Sequence, residues 1–480
     1  LTTLEKLKNR LIYLSSIATD ESAGKIASED IHRCWKGIYH WLGKGSSLLG
    51  DDRFLTAHSM GWFKHEREAD WLNTQLFEEL FPSSGGDVTP EKITSYVKSL
   101  ETAAAWWFHL NNPAGLPSNV QQQIESFNRT PFATARPLLL WALIRLGGAQ
   151  ARLISNPAEG GNSFDPFAKL VKQAERFSVL VLMGNDRRSN VGQGDLNFSA
   201  YCLAHPNEVL GKKIGSNSAR PLGAQAAVDL SADHVKALTD NGLISESPPV
   251  YADAKFEWQG YFDPAKVSTV AAHLIRAEKG FYGWNFAKVV IYEWEQWLRG
   301  DKGRPDKKPW ERFSWDDSIE HIYPQQPDDE EWKDSIAFDG RTSIAMKKAV
   351  VNSLGNLLLL SGSRNSSLSN SAFYGGKHPD RAKVLRFQAG SYSEWQVAHV
   401  CPRSWSVPTI AARGIAMMKF AENHWKFRLV EPEAPLTAWL PILFGDMAAT
   451  IQEGKGSGGV RVDGRALNHL VKQFQTCRPR

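Results

Sequence analysis

From Asp301 to Trp310 the chain reads Asp-Lys-Gly-Arg-Pro-Asp-Lys-Lys-Pro-Trp, a charged run without apolar periodicity. Proline cannot donate to a helix or a ladder, and Gly-Arg-Pro breaks whatever precedes it. This segment therefore reads as a linker, with a helical region at 1–300 on one side and a different pattern on the other.

Before the linker the spacing is helical. Leu4, Leu7, Leu11 and Leu14 recur on one face, and Leu138–Leu146 forms an apolar helix opened by Pro137 and closed by Gly147-Gly148. Loops rich in Gly, Ser, Asn and Pro are expected near 83–90, 111–118, 156–164, 184–195 and 245–250. The aromatic stretch Phe281–Trp297 reads as a helix packed on its neighbours, and His58 as a packed residue of the same bundle. After the linker come a short strand at 318–323, a helix at 343–354 closed by Gly355 and an apolar strand at 356–360. A helix start is expected within 366–377 and a further helix at 405–428. Residues 431–480 read as a helix-and-loop extension, with Glu453–Gly459 as a loop; Lys455 there lacks phosphate-loop spacing.

Composition narrows the class. A chain of 480 residues with 42% hydrophobic and 22% charged side chains can bury cores and is not disordered. No apolar run approaches the roughly 20 residues that cross a bilayer, so no membrane partner is expected. The four cysteines are scattered and no Cys-x-x-Cys occurs, which removes a paired-Cys zinc site and a disulfide framework. A reduced, cytoplasmic setting follows as the expectation. The net charge of +4 permits a polyanionic partner without demanding one. The first residue is Leu1, the reading of a chain that begins inside a longer gene product.

The segment that carries chemistry is Ser318-Ile319-Glu320-His321-Ile322-Tyr323-Pro324-Gln325. Downstream lie Gly355-Asn356-Leu357, then Arg364-Asn365-Ser366-Ser367-Leu368-Ser369-Asn370, then Lys377. The order is acid and His, Asn at a strand, Asn opening a helix. That order can fold as strand–loop–strand–helix with its polar groups at one end.

These residues resemble the His-Asn-His, or ββα-metal (His-Me finger), nuclease motif. More narrowly they resemble the nuclease domain of GmrSD-type, modification-dependent (type IV) restriction endonucleases. Trp405, Ile410, Arg413 and Trp425 match the closing helical signature of that family. Upstream, Leu1–Leu4 is similar to the residues that follow the Asp-Gly-Gln-Gln-Arg motif of the family's ParB-like N-terminal domain. Phe54-Leu55-x-x-His58, Glu175-Arg176-Phe177, Arg188-Ser189-Asn190, Phe281-Tyr282-x-Trp284 and Tyr292-Glu293 resemble the helical region after it.

The resemblance implies a mainly α (α+β) protein: a helical region at 1–300, a ββα-metal nuclease domain at 311–430 and the extension at 431–480. It implies a DNA endonuclease of an anti-phage restriction system, acting on modified or phage DNA. A nucleotide-hydrolysing sensor ahead of Leu1 would gate it, so nucleotide contacts fall on no residue present. A homo-oligomer is compatible with this reading.

Phosphodiester hydrolysis needs an activated water and stabilisation of charge on the phosphate and leaving oxygen. His321 would be the general base, since imidazole titrates near working pH. A hard ion accepts few protein oxygens and keeps its waters, so one carboxylate and one amide are enough, and the family resemblance implies that Glu320 and Asn365 would hold Mg²⁺ or Mn²⁺. Asn356 would hold His321 in place, and Lys377 and Arg364 would contact phosphate. Many relatives carry Asp before the His; Glu320 is one methylene longer. Structural alternatives stand beside each role. Asn365 can cap a helix, Lys377 can be a surface lysine, and Arg187-Arg188 reads as a solvated loop before a DNA or phosphate contact. Other classes are a non-catalytic nucleic-acid-binding scaffold and a toxin-like RNase.

Overall fold

The computed structural model describes residues 2–44, 49–63, 71–130, 133–148, 164–206, 222–240, 260–300, 319–327, 332, 342–360, 370–376, 378–453, 462 and 464–478. Among them the fold is mainly helical, with a single two-stranded sheet. No described helix is long and apolar enough to cross a membrane. Contacts divide the chain into two compact units, Leu1–Ser178 with Arg188–Phe262, and Val179–Arg187 with Asp263–Arg480. The segments 301–310, 156–163 and 245–250 lie outside the described residues.

The first unit is built from helices whose ends are written in the sequence. Thr2 and Glu5 form a reciprocal capping box that starts Thr3–Ser16, and Leu4, Leu7, Leu11 and Leu14 are all buried. Thr89 caps the helix Pro90–Asn111, with Pro90 in its first turn. That helix packs along Glu21–Gly43, where Gly37 leaves room for the Glu101 carboxylate. Asp165–Phe177 packs on Ala224–Asp240, pinned by Lys169 to Asp229 and Asp233 and by Arg176 to Asp240. The motif Glu175-Arg176-Phe177 is therefore buried scaffold here.

His58 is fully buried among Trp62, Tyr96 and Trp141, and its Nε2 lies 2.9 Å from Ser99 Oγ. Burial pushes its pKa down to about 3, so it is neutral at working pH. The sequence reading of His58 as a packed residue agrees with this position.

The second unit is organised round the helix Val407–Trp425, nearly every residue of which is buried. Asn285–Arg299 and Gly464–Thr476 pack against it, and Tyr392–Val400 packs on those two helices in turn. Buried Gln396 ties three of these parts together. Its Oε1 accepts from Trp294 Nε1 at 3.2 Å and its Nε2 donates to Phe474 O at 2.8 Å. The C-terminal extension is thus part of this unit's core. Val179–Arg187 joins the unit through reciprocal bonds between Asn185 and Asp263, both 2.8 Å, and through Trp284 Nε1 to Met183 O at 2.9 Å.

The expected strands appear in shortened form. β1 is Ile319–His321 and β2 is Leu357–Leu359, paired antiparallel with Glu320 opposite Leu358 and His321 opposite Leu357. The helix expected at 343–354 runs Thr342–Val351 and yields to a 3₁₀ turn at Leu354–Asn356. The helix start expected within 366–377 is absent over 370–376. There the chain bends, with Gly375 and Gly376 at φ of 76° and 70°, a conformation no right-handed helix accommodates. Residues 361–369, where the helix of a ββα unit would begin, lie outside the described residues.

Candidate active site

β1 ends at His321, and the loop after it is held by one side chain. Asn356 is fully buried and uses all four of its hydrogen-bonding positions. Its Oδ1 accepts from Tyr323 N at 2.8 Å and from Trp405 Nε1 at 3.0 Å. Its Nδ2 donates to Tyr323 O at 2.9 Å and to Val351 O at 2.8 Å. The backbone adds Ile322 N to Asn356 O at 2.9 Å. An amide is the one neutral side chain that offers two acceptor and two donor sites in a plane, which is why this position needs Asn.

The floor beneath Asn356 is the helix Val407–Trp425. Arg413 is fully buried and its Nη1 donates to Gly355 O at 2.9 Å and Leu357 O at 2.5 Å. Burial pushes its pKa down to about 9, against the opposing pull of Glu295 and Cys401. Gly355 lies flat on this helix. A Cβ there would stand 1.9 Å from Ile410 O and 2.7 Å from Gly414 N, both backbone atoms that cannot swing away. Gly355→Ala should cost about 3 kcal/mol through overpacking. Gly414→Ala should cost much less, since its Cβ would meet Leu443 side-chain tips at 3.0–3.1 Å and the nearest backbone atom, Gly355 N, at 3.3 Å. Urea unfolding of the two variants checks the ordering, and equal midpoints would refute the close-approach argument.

His321 is buried and sits against the Tyr282 ring, centroids 4.7 Å apart. Its Nε2 is 3.1 Å from Asn352 Oδ1. Asn352 Nδ2 donates to Glu278 O at 2.9 Å, so Oδ1 is the amide's acceptor and the His321 Nε2 must carry the proton. Gln325 Nε2 is farther from the same nitrogen, at 3.5 Å, and does not change this assignment. The lone pair of His321 is then on Nδ1. Burial pushes the imidazole pKa down to about 4; the Asn352 bond opposes this and the Lys383 charge adds to it. Asn352 is itself placed by its carbonyl, which accepts from Phe281 N at 2.9 Å, and by Gly280, whose φ of 51° and missing Cβ let the chain pass.

Glu320 occupies the next position back along β1, and successive side chains of a strand point to opposite faces. Its Oε1 accepts from Lys383 Nζ at 2.7 Å. The same ammonium donates to His321 O at 3.0 Å and Ile322 O at 3.1 Å. Lys383 is completely buried, and burial pushes its pKa down while Glu320 opposes the shift.

Of the site residues read from the sequence, the structure places Glu320, His321 and Asn356 at the β1–β2 end, the first two with separate partners. Asn365, Arg364 and Lys377 lie outside the described residues. Arg187 is half-buried and Arg188 exposed, in the turns that follow Gly184. Among the described residues no hydrogen bond or ion pair joins Arg187 to Glu320 or His321. No group of three or more His, Cys, Asp or Glu side chains among them is placed to share a metal ion.

Asn352, Tyr282 and Lys383 were not singled out by sequence reasoning. Asn352 fell within the helix expected at 343–354, whereas the observed helix ends at Val351 and leaves Asn352 just beyond it. Lys383 had no local signal, because its partners are more than 60 residues away.

Comparison with known proteins bears on this segment. No curated protein and no solved structure gives a significant match to the chain. The family model described as "GmrSD restriction endonucleases, C-terminal domain" matches residues 274–420, a stretch that begins before Tyr282 and closes near the end of the Arg413 helix. Over those residues, the chain is similar to the C-terminal domain of the GmrSD restriction endonucleases.

Proposed function

We propose that this protein is a metal-dependent DNA endonuclease of a modification-dependent, anti-phage restriction system, with His321 as general base. The observation that carries the reading is the His321 imidazole. It is neutral and protonated on Nε2 by its bond to Asn352, which leaves the lone pair on Nδ1, in a segment similar to the C-terminal domain of the GmrSD restriction endonucleases.

Oxygen is the donor type that a hard cation takes. Glu320 Oε1, His321 O and Ile322 O already gather round one positive group, the Lys383 ammonium, and all three are oxygens. Glu320, with Asn365, would hold Mg²⁺ or Mn²⁺. When bound, such an ion supplies Lewis-acid stabilisation of the phosphate and the leaving oxygen. The protein's own residues do the rest. His321 Nδ1 takes a proton from the attacking water, Asn352 keeps the ring in the required tautomer, and Tyr282 fixes its plane. Asn356 holds the loop that carries the base, and Lys377 and Arg364 are proposed phosphate contacts. Modified or phage DNA, and a nucleotide-driven gate ahead of Leu1, belong to the same proposal.

Supercoiled plasmid incubated with Mg²⁺ or Mn²⁺ should be nicked or linearised, and EDTA should stop it. RNA of matching sequence serves as the comparison. Cleavage of RNA alone would replace this reading with a toxin-like RNase, and inertness toward both would leave a binding scaffold.

The pH dependence follows from burial. An imidazole with a folded pKa of about 4 is a competent base throughout the range above it. Activity should persist well below pH 6.5 and disappear as pH falls through about 4. Stability has the same sign. The unfolded His binds its proton near 6.5 and the folded one near 4, so the contribution is lost as pH falls through that window. A rate–pH profile with its acid limb at 6.5 would contradict the buried, Asn352-bonded state.

A further inference from the structure

We propose that Lys383 is the resident counter-cation of Glu320, a positioning residue that sets how tightly this carboxylate takes a divalent ion. The inference rests on the metal-dependent reading above and deepens it.

Lys383 opens a short helix, Lys383–Phe387, and is held at its backbone by Ala372 O, 2.9 Å from its amide nitrogen. Its side chain is sealed from solvent, and the three N–H groups of the ammonium match three oxygens at 2.7, 3.0 and 3.1 Å. A buried lysine is costly unless so matched, and a lysine needed only for packing would be better served by an apolar side chain. What the charge accomplishes is local. It fixes the Glu320 carboxylate in one orientation, with Oε1 taken. It also ties that carboxylate to the carbonyls of His321 and Ile322, so that the base and the proposed ligand move as one body.

The same charge weakens the carboxylate as a seat for a second cation, because the arriving ion meets an ammonium already bonded to the group it seeks. The site therefore stays electrically balanced before a metal arrives, and binds the ion less tightly than Glu320 alone would.

The test is metal binding by the full chain without DNA, followed by calorimetric titration with Mn²⁺. Lys383→Met and Lys383→Gln should each bind Mn²⁺ about tenfold more tightly than the unaltered protein. Lys383→Arg, which keeps the charge, should not. Lys383→Gln decides the matter where Lys383→Met fails to fold, since its amide still donates to Glu320 and only the charge is gone. In the unaltered chain, the ammonium resonance of Lys383 should shift when Mg²⁺ is added. Unchanged Mn²⁺ affinity in folded neutral variants, or an unmoved resonance, would overturn the role of Lys383 and leave the nuclease reading standing. Glu320→Gln binding Mn²⁺ like the unaltered protein would instead sink the metal assignment to Glu320 itself.

Discussion

His321→Ala should lower metal-dependent DNA cleavage by roughly 10²–10⁴-fold, the range that a positioned general base contributes. The protein should remain folded. The lost ring leaves Asn352 Oδ1 without its partner and removes one contact with Tyr282, a cost of about 1–3 kcal/mol. Acid sensitivity should fall in the same variant, because a buried imidazole that resists protonation is gone. Plasmid cleavage at fixed Mg²⁺, read beside thermal melting at pH 7 and pH 5, separates the two effects. Cleavage at the unaltered rate would remove His321 from the chemistry altogether.

Asn356→Ala should be the most destabilising single change at the site. It strands Tyr323 N, Tyr323 O, Val351 O and Trp405 Nε1 in a fully buried position. At about 1–3 kcal/mol for each orphaned group, the sum reaches the order of the whole stability of a typical domain. Asn356→Asp preserves the two acceptor roles and loses both donor roles while burying a charge, so it should do little better. Urea unfolding followed by tryptophan fluorescence reports it directly, since Trp405 is one of the abandoned partners. A midpoint near that of the unaltered protein would show that the loop does not depend on this amide.

The parts of this site that the sequence disclosed are those with a local signature. His321 and Asn356 stood out through order and neighbours, and the Leu357–Leu359 strand through its short apolar run. The Arg413 helix showed itself by length and periodicity. Asn352 is one step removed. The sequence placed it inside the helix expected at 343–354, and its acceptor role depends on Glu278 O, whose placement comes from a residue at φ of 62° that no pattern announces. Tyr282 read as one more aromatic in a crowded stretch, and only the tertiary fold brings its ring to His321. Lys383 was hidden for a stronger reason. Nothing near it in sequence explains a buried charge; the explanation is a carboxylate and two carbonyls from a distant strand end. Electrostatic partners of that kind carry no period, so composition and spacing pass over them. Over 370–376 the chain turns at Gly375 and Gly376, and 366–369, where the expected helix start also falls, lie outside the described residues.

Trp405 and Arg413 lie well downstream of the Glu320–His321 pair, yet they complete the frame that holds it. During translation this pair leaves the ribosome long before the residues that lock its loop. A growing polypeptide, or one cut short before position 405, holds Glu320 and His321 without the Trp405 and Arg413 bonds that fasten Asn356 and its neighbours.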